Sequence, residues 1–191
     1  MCGPFALLGP AHTRNSEHTM RIKTVTTSYN QDEDRLCLSV VDEAGQQRVM
    51  WLTRRLAERL VPALTQGMPA AATEVEEPPS AGGQGGEPET AAPQEAKAQA
   101  AQVYAQLEAR LSHKEVPPVQ PGPHTPQGLV HEITLKAGDG LRGLQFHCRG
   151  MTPCELFLNP RELRQWLQLV RGCFHVAQWR EDVWPSWMAP R

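Results

Sequence analysis

The chain has 191 residues, a formal net charge of −2 and 40% hydrophobic residues. This length allows one ordinary domain or two small ones. The charge argues against a protein dedicated to nucleic acid, because such proteins usually carry a strongly basic patch. No apolar run approaches the roughly 18 residues of a membrane-spanning helix. Five cysteines, an odd number, and no secretory signal favour a reducing compartment, so we expect a soluble cytoplasmic protein.

The N-terminus has a short apolar patch, but no basic stretch precedes it and prolines interrupt it. The first segment with strand character begins at Met20. We therefore expect residues 1–19 to be a disordered extension. The alternative is that the start codon was assigned too far upstream and that Met20 is the first residue.

Residues 20–66 predict three strands and a helix. The strand candidates are "RIKTVTTSY", "RLCLSVV" and "RVMWL", separated by the turns "NQDEDR" and "DEAGQQ". Leu36, Leu38 and Val40 alternate onto one face of the second strand. Thr53 is a suitable N-cap for a helix whose apolar stripe is Leu56, Leu60, Val61 and Leu64.

Residues 128–191 repeat this order. "LVHEITL", "LQFHC" and "CELFL" predict strands, and "KAGDGLRG" predicts a hairpin turn between the first two. Asn159 is the predicted N-cap, Pro160 the first helical residue, and Leu163, Trp166, Leu167 and Val170 the apolar stripe. Because one such half is too small to bury its own sheet, we predict an α+β fold in which two similar β-β-β-α halves pair as a pseudo-twofold domain.

Residues 67–127 form the predicted connection between the halves. They contain three basic and eight acidic residues, with long Pro, Ala and Gly tracts typical of a disordered linker. Within this linker, residues 95–113 are rich in helix formers, and Val103, Leu107 and Leu111 recur every four positions. This helix is expected either to pack on the core or to become ordered on a partner.

Five residues have side chains that could ligate a metal: His147, Cys148, Cys154, Cys173 and His175. Their spacing matches no zinc finger, and His147 and Cys148 point to opposite faces of a strand. Buried cysteines acting as small hydrophobic residues are the favoured interpretation. The sequence contains no recognisable catalytic triad, phosphate loop or dinucleotide motif. We therefore expect no metal, no cofactor and no enzymatic activity.

Two features favour binding to a partner. Arginines line the predicted helices, and we select Arg54, Arg55 and Arg59 on the first, with Arg161 and Arg164 on the second. Arginine suits carboxylates and phosphates, although a solvated charged helix face is the commoner explanation. The C-terminal tail contains Trp179, Trp184 and Trp187. We select Trp184 and Trp187 as interaction residues and expect Trp179 to be buried, the alternative being that the whole tail folds back onto the core.

The leading hypothesis is a non-enzymatic protein-interaction or accessory module whose partner is an unidentified protein. The alternative is a single-stranded nucleic-acid-binding protein. Strands followed by a helix in two related copies, as in "VMWLTRRLAERL" and "ELFLNPRELRQWL", are similar in outline to the Whirly-type single-strand binders. That resemblance implies bases stacked on exposed aromatic rings beside cations. The strands offer Tyr29, Trp51, Phe146 and Phe157 for such stacking, and we expect at least two of these to face the core.

Overall fold

The computed structural model describes residues 4–6, 19–68, 91–114 and 116–188. Its strands are β1 (Pro4–Ala6), β2 (Met20–Asn30), β3 (Arg35–Asp42), β4 (Gln47–Thr53), β5 (Gln127–Gly138), β6 (Leu141–Cys148) and β7 (Cys154–Leu158). Its helices are α1 (Arg54–Thr65), α2 (Ala91–Leu111) and α3 (Pro160–Ala177), with a 3-10 turn at Ser186–Met188. The predicted α+β class is confirmed.

Six of the strands form a ring. β2, β3 and β4 make one antiparallel meander, and β5, β6 and β7 make a second. β4 pairs with β5 in parallel, and β7 pairs with β2 in parallel. These two short parallel seams join the meanders, so every strand of the ring has a neighbour on each side over at least part of its length.

The first hairpin of each meander has the same irregularity. The β2–β3 ladder skips one residue between Ile22 and Thr24 before running regularly to Asn30. The β5–β6 ladder skips one between Val130 and Glu132 before running to the turn at the end of β5. Such bulges bend a strand and increase its twist, so both strands bend just after leaving a parallel seam.

The predicted helix starts are confirmed. The Thr53 hydroxyl accepts a hydrogen bond from the Leu56 amide at 3.3 Å. Asn159 and Glu162 form a reciprocal capping box, in which each side chain accepts from the other residue's amide. Pro160 occupies the first turn of α3, where its missing N–H costs no hydrogen bond.

The predicted apolar stripes pack into one core. Leu36, Leu38 and Val40 on β3 are at most 1% exposed. α1 and α3 cover the sheet with the stripe residues predicted from the sequence, and α1 adds Ala57. Leu56, which was also predicted for the stripe, is only partly buried. The buried members are Leu60, Val61 and Leu64 on α1 and Leu163, Trp166, Leu167 and Val170 on α3.

The structure differs from the sequence prediction at the N-terminus. Within the extension expected to be disordered, Pro4–Ala6 forms β1 and pairs antiparallel with Thr24–Thr26 of β2. Three residues with a single side chain of strand character give too weak a periodic signal to be recognised, and the pairing strand is distant in sequence. Residues 1–3 and 7–18 of the predicted extension lie outside the described residues.

The predicted linker contains α2, which runs over Ala91–Leu111 rather than about 95–113. Residues 69–90, where most of the remaining linker was predicted, lie outside the described residues. None of the described helices is both long enough and apolar enough to cross a membrane.

Candidate interaction surface

The inner face of α2 packs against α3 through small and polar side chains. Ala105 and Ala109 are 3% and 1% exposed, and Gln106 is also buried. The Gln106 side-chain amide donates to the Arg164 carbonyl at 3.3 Å. The Gln165 side chain of α3 donates to the Ala109 carbonyl at 2.8 Å. Alanines let the two helices approach closely enough for these side-chain to main-chain bonds to form.

Arg164 is fully covered by this contact. Its guanidinium donates to the side-chain oxygen and, at 3.4 Å, to the carbonyl of Gln102 on α2. It also lies 4.9 Å from the ring centroid of Trp187. Burial lowers the pKa of Arg164 from its ordinary value, because desolvation disfavours the charged form. The prediction that Arg164 lies on an exposed basic face is wrong: the side chain attaches α2 and the tail to α3.

The outer face of α2 is apolar and faces solvent. Tyr104, Leu107 and Leu111 are 67%, 50% and 77% exposed. Val103, which is half-buried, lies beside them on the same side of the helix. We call these four residues the α2 stripe. The period-four pattern in the sequence therefore marks the side of the helix opposite its packed face.

A groove of about 680 Å³ runs between α2, α3 and the 3-10 turn. Val103 and Leu107 of the α2 stripe form part of its wall. Across from them lie Trp187 and Met188 of the turn, which the Gln99 side chain holds through a 2.7 Å bond to Ser186. The remaining lining residues are Ala96, Ala100, Gln106, Arg110, Gln168 and Arg171.

The tryptophan tail folds back onto the core. Trp179 packs edge-on against Phe174, with centroids 5.0 Å apart, and its indole N–H donates to Asp34 at 2.8 Å. Trp184 packs edge-on against the same Phe174 ring at 5.3 Å and is buried. The expected burial of Trp179 is confirmed. The expectation that Trp184 is available to a partner is wrong, because its ring completes the core, and Trp187 is half-buried beside Arg164.

Two of the predicted surface arginines form ion pairs. Arg54 pairs with Glu58 on its own helix at 2.8 Å, and Arg161 pairs with Glu108 of α2 at 3.0 Å. Exposed pairs of this kind contribute little stability. Arg55 and Arg59 are exposed, and no acidic side chain within the described residues forms an ion pair with either.

The cysteines and histidines are dispersed. His147 contacts the Thr134 hydroxyl at 3.1 Å on the outer side of the sheet, whereas Cys148 and Cys154 are buried. Burial raises the pKa of Cys148 to about 11, and burial also raises the pKa of Cys154, although Arg48 lies 3.6 Å from its sulfur. In the described part of the chain, no group of three His, Cys, Asp or Glu residues could hold a metal ion.

The four aromatic residues that the sequence offered for base stacking do not form a shared platform. Phe146 is 1% exposed in the core. Phe157 lies under the guanidinium of Arg21 at 5.3 Å, Tyr29 packs edge-on against Trp179, and the Trp51 indole donates to Gln127 at 3.2 Å. Searches against protein-family models, curated proteins and solved structures found no match.

Proposed function

We propose that this chain is a non-enzymatic interaction module whose partner is a protein that binds the α2 stripe. The exposure of this stripe is the observation that carries the proposal. Three of the five large hydrophobic side chains found exposed among the described residues are Tyr104, Leu107 and Leu111. Grouped exposed apolar side chains mark interaction sites, whereas scattered ones need no explanation.

The physical argument rests on the two faces of α2. A helix that served only to cover α3 would turn its largest apolar residues inward, because each buried leucine contributes roughly 1.5 to 3 kcal/mol. α2 instead buries alanine and glutamine and leaves Leu107 and Leu111 in water. Polar contacts thus hold α2 in place, and its apolar side stays available to another molecule.

The groove indicates the form of the partner. Val103, Leu107 and Trp187 supply apolar lining, and Arg110 and Arg171 supply positive charge, Arg171 already being paired with Glu181 at 3.5 Å. An amphipathic helix that lays its apolar side into a hydrophobic groove is a common mode of recognition. We propose a partner segment with apolar residues at helical spacing and acidic residues beside them, acting in the cytoplasm.

The test compares the sets of proteins that the wild type and two variants capture. Full-length protein and the variant Tyr104→Ser/Leu107→Ser/Leu111→Ser would be immobilised and exposed to lysate of the native cell. A protein retained by the wild type and lost by the variant is expected. The matched control is Gln94→Ser/Lys97→Ser/Ala101→Ser, which changes exposed positions on the same helix and should retain that protein. Identical captured sets for all three would contradict the proposal.

Single-stranded nucleic acid is the second candidate function. Arg55 and Arg59 favour it, because two exposed guanidinium groups without acidic partners among the described residues suit phosphates. A labelled oligonucleotide titrated at two salt concentrations distinguishes the candidates. Micromolar, salt-sensitive binding that Arg54→Gln/Arg55→Gln/Arg59→Gln abolishes would favour nucleic acid over a protein partner.

We also infer that the two halves of the ring are copies of one unit related by a pseudo-twofold axis. Three matched features support this inference: the order of three strands and a helix, the skipped residue in the first hairpin, and an N-cap where the third strand ends. The parallel seams match in kind as well, since the last strand of each half pairs with the first strand of the other.

A further inference from the structure

The outer edge of β5 differs from the corresponding edge of β2. Beyond the seam with β7, β2 is covered by β1 at Thr24–Thr26, and the Val119 amide donates to the Thr26 hydroxyl at 2.8 Å. β5 pairs with β4 only at Gln127–Leu129. From there to Gly138, no described residue hydrogen-bonds to its outer edge. An unpaired edge of this length is a template for another strand.

The apolar side chains of this segment are only partly buried. Ile133 and Leu135 contact the core but remain half-exposed, whereas Val25 and Thr27 on β2 are fully buried. A strand added to the outer edge of β5 would place side chains next to Ile133 and Leu135 and continue the covered inner face.

The order of side chains identifies the added strand. An antiparallel copy of β5 centred on Thr134 would place Glu132 opposite Lys136 and Ile133 opposite Leu135 on each side of the axis. Thr134 would face its own copy. Opposite charges, apolar pairs and paired threonines are each favourable across a ladder. The segment is therefore self-complementary, as a twofold interface requires.

The charges also favour the centred register. Shifting the copy by two residues in either direction removes both opposite-charge contacts, because Glu132 then faces Gly138 or Thr134, and Lys136 faces Thr134 or Val130. Lys136 already pairs with Glu155 of β7 in the same chain, so in the centred register it would lie between two carboxylates. We propose that a second copy of this chain binds the outer edge of β5 and forms a twofold dimer through a continuous sheet, with Thr134 on the axis.

Two charge-reversal variants test the register. In the homodimer of E132K, lysines at 132 and 136 face each other, and in that of K136E two glutamates do. In a mixture of the two variants, both contacts join a lysine to a glutamate. Sedimentation equilibrium of the full-length 21.2-kDa chain would measure mass at concentrations up to about 100 µM, where weak dimers are populated.

The wild type is expected to reach twice the monomer mass, and each variant alone to weaken association by at least about tenfold. Their equimolar mixture is expected to recover wild-type association. K136E also opposes Glu155, so the variant K136E/E155K, which reverses that pair within the chain, provides a second partner for E132K. Circular dichroism would check that each variant is folded. A monomeric wild type, a dimer unaffected by E132K, or mixtures that stay monomeric would each overturn the proposal.

Discussion

Buried polar side chains in this protein act as specific attachments between distant segments. The Trp166 indole of α3 donates to the Thr27 hydroxyl of β2 at 3.0 Å, and both side chains are at most 1% exposed. Arg164, two residues earlier in the chain, makes the corresponding attachment to α2 on the other side of α3. Such bonds add modest net stability, but a partner left alone in the core costs more.

We predict that Trp166→Phe destabilises the protein by at least about 1 kcal/mol, because it leaves the Thr27 hydroxyl unpaired and removes buried ring volume. Urea unfolding would measure the change. Thr27→Val alone leaves the indole N–H without an acceptor. The double variant Trp166→Phe/Thr27→Val should therefore lose clearly less unfolding free energy than the sum of the two single losses. Strictly additive losses would show that this hydrogen bond contributes nothing.

Cys148 predicts a dependence of stability on alkaline pH. Burial raises its pKa from an ordinary 9.0 to about 11. Above pH 9 the unfolded thiol loses its proton while the folded thiol keeps it, so this contribution to stability is complete below pH 9 and is lost toward pH 11. The stability advantage of the wild type over Cys148→Ala in urea should shrink across that range. An advantage independent of pH would contradict the assigned environment.

At the scale of elements, α2 is attached by contacts that tolerate little extra volume. Ala109 is 1% exposed, and its carbonyl receives the Gln165 side chain. We predict that Ala109→Leu costs about 1 to 3 kcal/mol through overpacking and exposes Ala91–Leu111 to protease. Ala101→Leu adds the same volume at an exposed position and is the matched control. Equal protease resistance in both variants would show that α2 is not held by this face.

The sequence predicted local elements better than their contacts. Thr53 and Asn159 were recognisable as caps because capping depends on residues three positions away. The packed face of α2 was missed because alanine and glutamine give no apolar signal, while the exposed Leu107 does. The burial of Arg164 was missed because its neighbours, Gln102 and Trp187, are distant in sequence. Strand pairing across the parallel seams was missed for the same reason.

At the scale of the whole molecule, closure of the ring joins the two halves. Each parallel seam is short: three residue pairs connect β4 to β5, and two connect β7 to β2. α1 and α3 cover the same core, since Leu60 of one and Leu167 of the other line a single small cavity. A half without its counterpart would therefore present two open strand edges and a helix with no opposing surface.

We predict that fragments 1–80 and 91–191 are each unfolded or aggregated alone and form one folded complex when mixed. The second fragment includes α2, because α2 packs mainly on α3 and adds one bond to the first fragment, from the Gln102 side chain to the Met68 carbonyl at 2.8 Å. Hydrophobic burial grows with domain size, and neither fragment encloses a core of its own, so folding and association should occur together. Circular dichroism and thermal unfolding of each fragment and of the equimolar mixture would check this. A Leu60→Ala change in the first fragment should weaken the complex, because that side chain lies where the helices meet. If either fragment alone melts in a sharp transition, the halves are independent domains, and the parallel β4–β5 and β7–β2 pairings only connect two units that fold on their own.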